Sequence, residues 1–185
     1  PLAGSTFKKV YYDDLLGRAV SKFIPADDLI VPYTATSLED AEAVIHVVKM
    51  SENDLRKQMY AGFYSDIELT KPTGTVTDEL KEKEREIEGI QKTQSTEPLY
   101  TILECHVNLD LEGFEDMGPD GEPTGIKLPY VVTVEEGSRK VLSIRRNFLA
   151  DDPKKLKIQY FVHFKFLPGL GFYGLGLIHM IGGLS

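Results

Sequence analysis

From Leu99 to Leu111 the chain alternates with a period of two, longer and more cleanly than anywhere else in its 185 residues. Leu99, Thr101, Leu103, Cys105, Val107, Leu109 and Leu111 fall on one side, and Tyr100, Glu104, His106, Asn108 and Asp110 on the other. Successive side chains of a strand point to opposite faces, so this spacing predicts one long strand with its odd-numbered face buried and its even face solvated. On that reading Leu103→Asp is severely destabilising and Glu104→Ala is mild. A strand this long must pair with others, which commits the chain to a sheet.

The rest of the sequence fits that commitment. Phe7–Tyr12, Arg18–Ile24 and Leu29–Val31 are rich in β-branched and aromatic residues and are separated by the turn formers Gly17, Pro25 and Pro32, as in a meander. Ala43–Met50 is apolar on both faces apart from His46 and Lys49, the pattern of a strand covered on both sides near the middle of a sheet. Ser51 with Asp54 marks a helix start, and Leu55, Met59 and Phe63 form its apolar stripe, with Gly62 near its end. A second helix is expected after Thr77, with Leu80, Lys83, Ile87 and Ile90 as a thin stripe on a charged surface helix. Lys127–Glu135 and Arg139–Phe148 read as a hairpin turning at 135–138, and Tyr160–Phe166 as a further strand. The predicted fold class is α+β: mainly antiparallel β-sheet with two or three helices packed on or beside it.

Composition narrows the chemistry. A formal net charge of −8 argues against a surface that grips nucleic acid, because such surfaces cluster Lys and Arg against phosphates. One cysteine, Cys105, permits neither an internal disulfide nor a multi-cysteine zinc site, as expected of a reducing compartment or of indifference to redox state. His106 follows Cys105 directly, but neighbours on a strand face opposite ways, so the pair is not a nucleophile and its base. His46, His106, His163 and His179 show no metal-ligand spacing. The acidic run Asp110, Glu112, Glu115, Asp116 and Asp120 matches no known cation loop and reads as solvated, with a weak ion site as the alternative. Arg145, Arg146, Lys154, Lys155 and Lys157 form the one basic cluster, read as balanced by Asp151 and Asp152, or else as a contact for an acidic neighbour.

After Lys165 no formal charge appears, and Phe166–Ser185 holds six glycines among apolar residues. Each glycine costs a helix about 1 kcal/mol relative to alanine, so the segment is a poor membrane span. Gly169, Gly171 and Gly174 have the GxGxxG spacing, yet no strand–helix–strand with a later acid accompanies them, so nucleotide binding is not expected. A tight turn with close backbone approach is the plainer reading. The apolar tail and the start at Pro1, without charged leader or hydrophobic signal core, are those expected of a segment of a longer protein.

Several segments in order carry a family resemblance: FKKVYYD (Phe7 to Asp13), LDLEGFED (Leu109 to Asp116), GEPTGIKLPYVVTV (Gly121 to Val134), YFVHFKFLPGLGF (Tyr160 to Phe172) and YGLGLIHMIGGLS (Tyr173 to Ser185). Together they resemble the portal protein of tailed bacteriophages, in its short-tailed phage form. The resemblance implies a structural subunit of a dodecameric ring at one capsid vertex, through which double-stranded DNA passes during packaging and ejection. It implies no catalytic residues, no cofactor and no metal. It implies identical subunits, capsid, scaffold, terminase and tail adaptor proteins as partners, no membrane, and residence in the virion after assembly in the host cytoplasm. Residues 1–168 then correspond to a wing-like α+β domain, and 169–185 to a glycine-rich connector leading into a truncated stem helix. A wing without stem and clip is expected to be mainly monomeric in dilute solution. The tail is expected to be the least well packed part and a hinge, so valine at Gly174 and Gly176 leaves the melting temperature within a few degrees. The rival readings are another phage tail or baseplate adaptor, and a metal-dependent hydrolase fragment using the acidic loop.

Overall fold

The computed structural model describes residues 4–13, 16–69, 99–169 and 171–182. Among them are eight strands: β1 (Ser5–Asp13), β2 (Arg18–Ile24), β3 (Leu29–Ile30), β4 (Ala43–Met50), β5 (Tyr100–Leu109), β6 (Leu128–Glu135), β7 (Val141–Arg146) and β8 (Phe161–Lys165). Two α-helices accompany them, α1 (Glu52–Tyr60) and α2 (Leu177–Ile181). The strands form two antiparallel sheets, ordered β2-β1-β8 and β3-β4-β5-β6-β7, so the fold is α+β and mainly sheet. The helix expected after Thr77 lies outside the described residues. No described helix is long and apolar enough to cross a membrane.

The expected meander of the first third is divided between the sheets. β1 and β2 pair in register Phe7 to Ile24 through Asp13 to Arg18, but β3 pairs with β4, Leu29 opposite His46. Pro25 and the 3-10 turn Ala26–Asp28 redirect the chain, since proline cannot donate to a continuing ladder.

The chain comprises two compact units: Pro1–Val47 with Glu104–Val132 and Ile144–Ser185, and Val48–Leu103 with Thr133–Ser143. The core of the first gathers Phe7, Ile24, Leu29, Val44, Phe161 and Phe172 with smaller residues. The core of the second is built on Leu55, Tyr100, Ile102 and Leu142, with Val48, Met50 and Met59 against it. In that unit Ser51 caps α1 by accepting from the Asp54 amide. Gly62, at φ 74°, closes the helix: its amide donates to Met59 O and the Phe63 amide to Gln58 O, the paired bonds of a left-handed helix stop. Phe63 therefore lies beyond the helix instead of on its stripe.

The buried face of β5 is the reverse of the one expected. Tyr100, Ile102 and His106 are buried, whereas Leu103, Cys105 and Val107 are only half-buried. Counting apolar residues selected the odd face, but burial follows what packs on a strand. In the second unit Tyr100 and Ile102 meet Leu55 and Leu142; in the first, Glu104 and His106 meet Lys9 and two aromatic rings. Ile102→Asp is therefore expected to prevent stable folding, because it strands a carboxylate in the core, and Leu103→Asp to cost distinctly less. Urea midpoints of the two variants check this; a larger loss for Leu103→Asp contradicts it.

Candidate functional site

A buried group of ionisable side chains lies inside the first unit. On β1 the residues Phe7, Lys9 and Tyr11 share the inward face, and on β5 Glu104 and His106 do. Lys9 Nζ donates to both Glu104 oxygens at 2.5 and 2.6 Å, and His106 Nε2 donates to Oε1 at 2.7 Å. The side chains of Lys9, Glu104 and His106 are only 13%, 19% and 5% exposed. Phe161 closes the group edge-on to the rings of both His106 and His46. Lys9 also lies 5.2 Å from the Tyr11 ring centroid, a cation–π contact.

Burial alone raises the Glu104 pKa, but the His106 hydrogen bond and the Lys9 ammonium outweigh it and bring the carboxyl down to about 2. His46 is pushed down to about 4, first by burial and then by Lys9, with His106 and Lys22 adding to the effect and Glu104 opposing it. Its Nδ1 is buried with no hydrogen-bond partner among the described residues. This network has a defined consequence for stability. As pH falls from 6.5 toward 4 the unfolded chain takes up a proton that folded His46 refuses, so stability falls; His163, pushed down by burial and Lys165, adds in the same direction. Below about pH 4.5 the depressed Glu104 continues the loss down to about 2. His46→Phe is expected to remove up to one proton, about 1.4 kcal/mol per pH unit, from the slope of unfolding free energy between pH 6.5 and 4. Urea titrations at closely spaced pH values measure it, and an unchanged slope contradicts the assignment.

A second constellation holds the tail. Ser5 Oγ accepts from the Gly174 amide at 2.8 Å and lies 3.0 Å from His163 Nε2. The His163 ring stacks against Phe7 and Phe172, at centroid distances of 4.4 and 4.8 Å, and those two rings also stack on each other at 5.9 Å. A serine against a histidine is the first contact of nucleophilic catalysis. Here the hydroxyl is buried and the Gly174 amide donates to it, so the arrangement fastens the tail instead of presenting a nucleophile.

The weighed loop residues disperse. Asp116 pairs with Lys155 and accepts from Thr124 Oγ1 at 2.8 Å, which lowers its pKa; Asp110, Glu112, Glu115 and Asp120 do not converge with it on a metal site. Among the described residues no group of three or more His, Cys, Asp or Glu side chains is placed to hold a metal ion. The residues of the basic cluster have several different contacts. Asp152 accepts from the Lys154 and Leu156 amides, Lys155 pairs with Asp116, and Arg146 lies 5.8 Å from the Phe114 ring centroid. Lys157 Nζ donates to the carbonyls of Leu38, Glu39 and Ala41 at 3.2–3.3 Å. Asp116, Lys154, Lys155 and Lys157 line an open cleft of about 460 Å³ with Asp40 and Glu42, where both charge signs are mixed and already paired in part. Cys105 is half-buried with its pKa raised by burial and by Glu104, and buried His106 occupies the adjacent strand position, where the side chain points to the opposite face. His179 Nδ1 accepts from the Gly176 amide.

Sequence reading missed both constellations because their partners are 95 and 158 residues apart. One signal was present: Lys9 lies between Phe7 and Tyr11, and Glu104 between Ile102 and His106, each a lone charge on a face of large side chains. No protein-family model matches the chain, and no curated protein matches it.

Proposed function

We propose that the chain is the wing region of a short-tailed phage portal subunit, a structural part of the DNA-conducting ring without catalytic activity. The observation that carries this reading is the order of five resembling segments from Phe7 to Ser185. Their mutual packing supports it. FKKVYYD supplies most of β1, YFVHFKFLPGLGF contains β8, and the two pair antiparallel with Phe7 opposite His163. YGLGLIHMIGGLS supplies Gly174, which is hydrogen-bonded to Ser5 at the start of β1. Partners on this reading are identical subunits in a dodecamer, capsid and scaffold proteins, terminase and tail adaptors. DNA slides past without sequence-specific contact, in keeping with a net charge of −8. Electron micrographs of the full-length protein test the proposal: class averages with twelvefold rings support it. Rings of another symmetry, or none, favour a tail or baseplate adaptor. Calorimetric binding of calcium, magnesium or manganese at the 110–120 loop, accompanied by hydrolase activity, favours the metal-enzyme reading instead.

A further inference from the structure

The contact between Ser5 and His163 fixes where one proton sits. Ser5 is buried, and among the described residues its Oγ meets two polar neighbours: the Gly174 amide, which donates to it at 2.8 Å, and His163 Nε2 at 3.0 Å. An amide N–H only donates, so the hydroxyl's own proton has Nε2 as its acceptor, and neutral His163 carries its proton on Nδ1. The bonds then run in one sense, from Gly174 N–H to Ser5 Oγ and from Ser5 O–H to His163 Nε2. The three residues come from β1, the tail and β8, all within the first unit. The tail's other described anchors are the two backbone bonds between Leu167 and Leu175, the burial of Phe172, and Lys165 Nζ donating to Gly171 O at 3.4 Å. Beyond Gly176, α2 buries no residue.

We propose that His163 is a proton-operated catch on the tail: neutral, it holds the Ser5 hydroxyl in place to receive the Gly174 amide, and protonated, it loosens residues 171–176. The proton binds Nε2, the atom that accepts from Ser5, and turns it into a donor. Ser5 Oγ then accepts from both sides while its own buried proton loses its acceptor, or else the hydroxyl turns and gives up the amide. Either outcome leaves a buried polar group unmatched. Around the ring stand Phe7 on β1, Phe172 on the tail with Tyr173 edge-on to both, and Lys165 two positions along β8. His46 and His106 lie across Phe161, and Lys9, two residues past Phe7 on β1, is paired with Glu104. Burial and the Lys165 ammonium hold the His163 pKa below its ordinary value, so the closed tail favours the neutral ring. Its grip is full above about pH 6.5 and is lost as pH falls toward the depressed value. Nothing in the catch depends on the portal reading.

Amide hydrogen exchange of the whole chain, followed by NMR from about pH 7.5 to about pH 5 and corrected for the intrinsic rate, tests the catch. Protection of the Gly174 and Leu175 amides is expected to fall about tenfold relative to that of Val10, whose amide donates to Tyr160 O in the same unit. The comparison with Val10 separates local release of the tail from loss of the whole unit's stability. Ring nitrogen shifts of His163 in the same samples are expected to show the proton on Nδ1 at the upper end of the range. His163→Gln keeps an acceptor but cannot titrate, and is expected to hold the ratio constant with pH. Ser5→Ala is expected to give weak Gly174 protection at every pH. A ratio that stays constant in the unsubstituted chain, a neutral His163 with its proton on Nε2, or an unaltered pH profile in His163→Gln overturns the proposal.

Discussion

Glu104→Ala is expected to destabilise the protein by about 3–5 kcal/mol, the cost of leaving a buried charge without its partner. Lys9 and His106 both donate to this carboxylate, and neither has enough exposure for water to replace it fully. Lys9→Met should cost a comparable amount by stranding the carboxylate. The double variant Lys9→Met/Glu104→Leu should recover most of the loss, because apolar groups of similar volume remove the desolvation cost together with the attraction. Chemical denaturation of the two single variants and the double variant gives the coupling energy. A loss below about 1 kcal/mol for Glu104→Ala shows the pair to be effectively solvated and contradicts the packing of β1 against β5 in the first unit.

Gly174→Val is expected to cost about 3 kcal/mol or more, against the small change anticipated from the sequence. A Cβ at this position meets Gly4 O at 2.6 Å, Leu167 O at 2.9 Å and the Lys165 Cβ at 3.0 Å. Two of these three neighbours are backbone atoms, held by the ladder bonds between Leu167 and Leu175 and by the Ser5 hydroxyl, so they cannot yield as a flexible side chain does. Gly4 reciprocates: it sits at φ 80°, and a Cβ there meets Gly176 N at 2.6 Å. Gly171→Ala is the control, since nothing lies within 4 Å of the added carbon. Thermal melts should show a large drop for Gly174→Val and almost none for Gly171→Ala; equal drops contradict the close crossing.

The local pattern made the strands legible, and the long-range partners were not. β5, β6, β7 and β8 fall within the expected stretches because each alternates or is rich in β-formers, and α1 begins at its Ser51 cap. The turn joining β6 to β7 begins where expected but runs two residues past 138, and its left-handed residue is Arg139 at φ 57°. Glu135 enables this by accepting from the Gly137 and Ser138 amides at 2.9 and 2.6 Å, a bond pattern that residue propensity does not encode. The face of β5 was misread for a related reason. Six of the seven odd positions are apolar by type, but a charge that finds a partner across the core can be largely withdrawn from water. The Lys9–Glu104 match is invisible until the sheets are in place.

The tail divides between both outcomes. Phe172 joins the core and Gly174 is buried, so this stretch is not the least packed part; α2, beginning three residues later, is exposed on nearly every side. Glycine-rich sequence therefore signified close crossing at Gly174, where the backbone must approach Gly4, and said little about α2.

Labelling assembled virions with an antibody against the chain tests the structural-subunit reading most directly, by showing where the protein resides. A portal subunit places the label at one vertex of each capsid, where head meets tail, and exposes it best in particles opened before imaging. Label spread over all vertices, confined to the distal tail, or absent from virions contradicts the account.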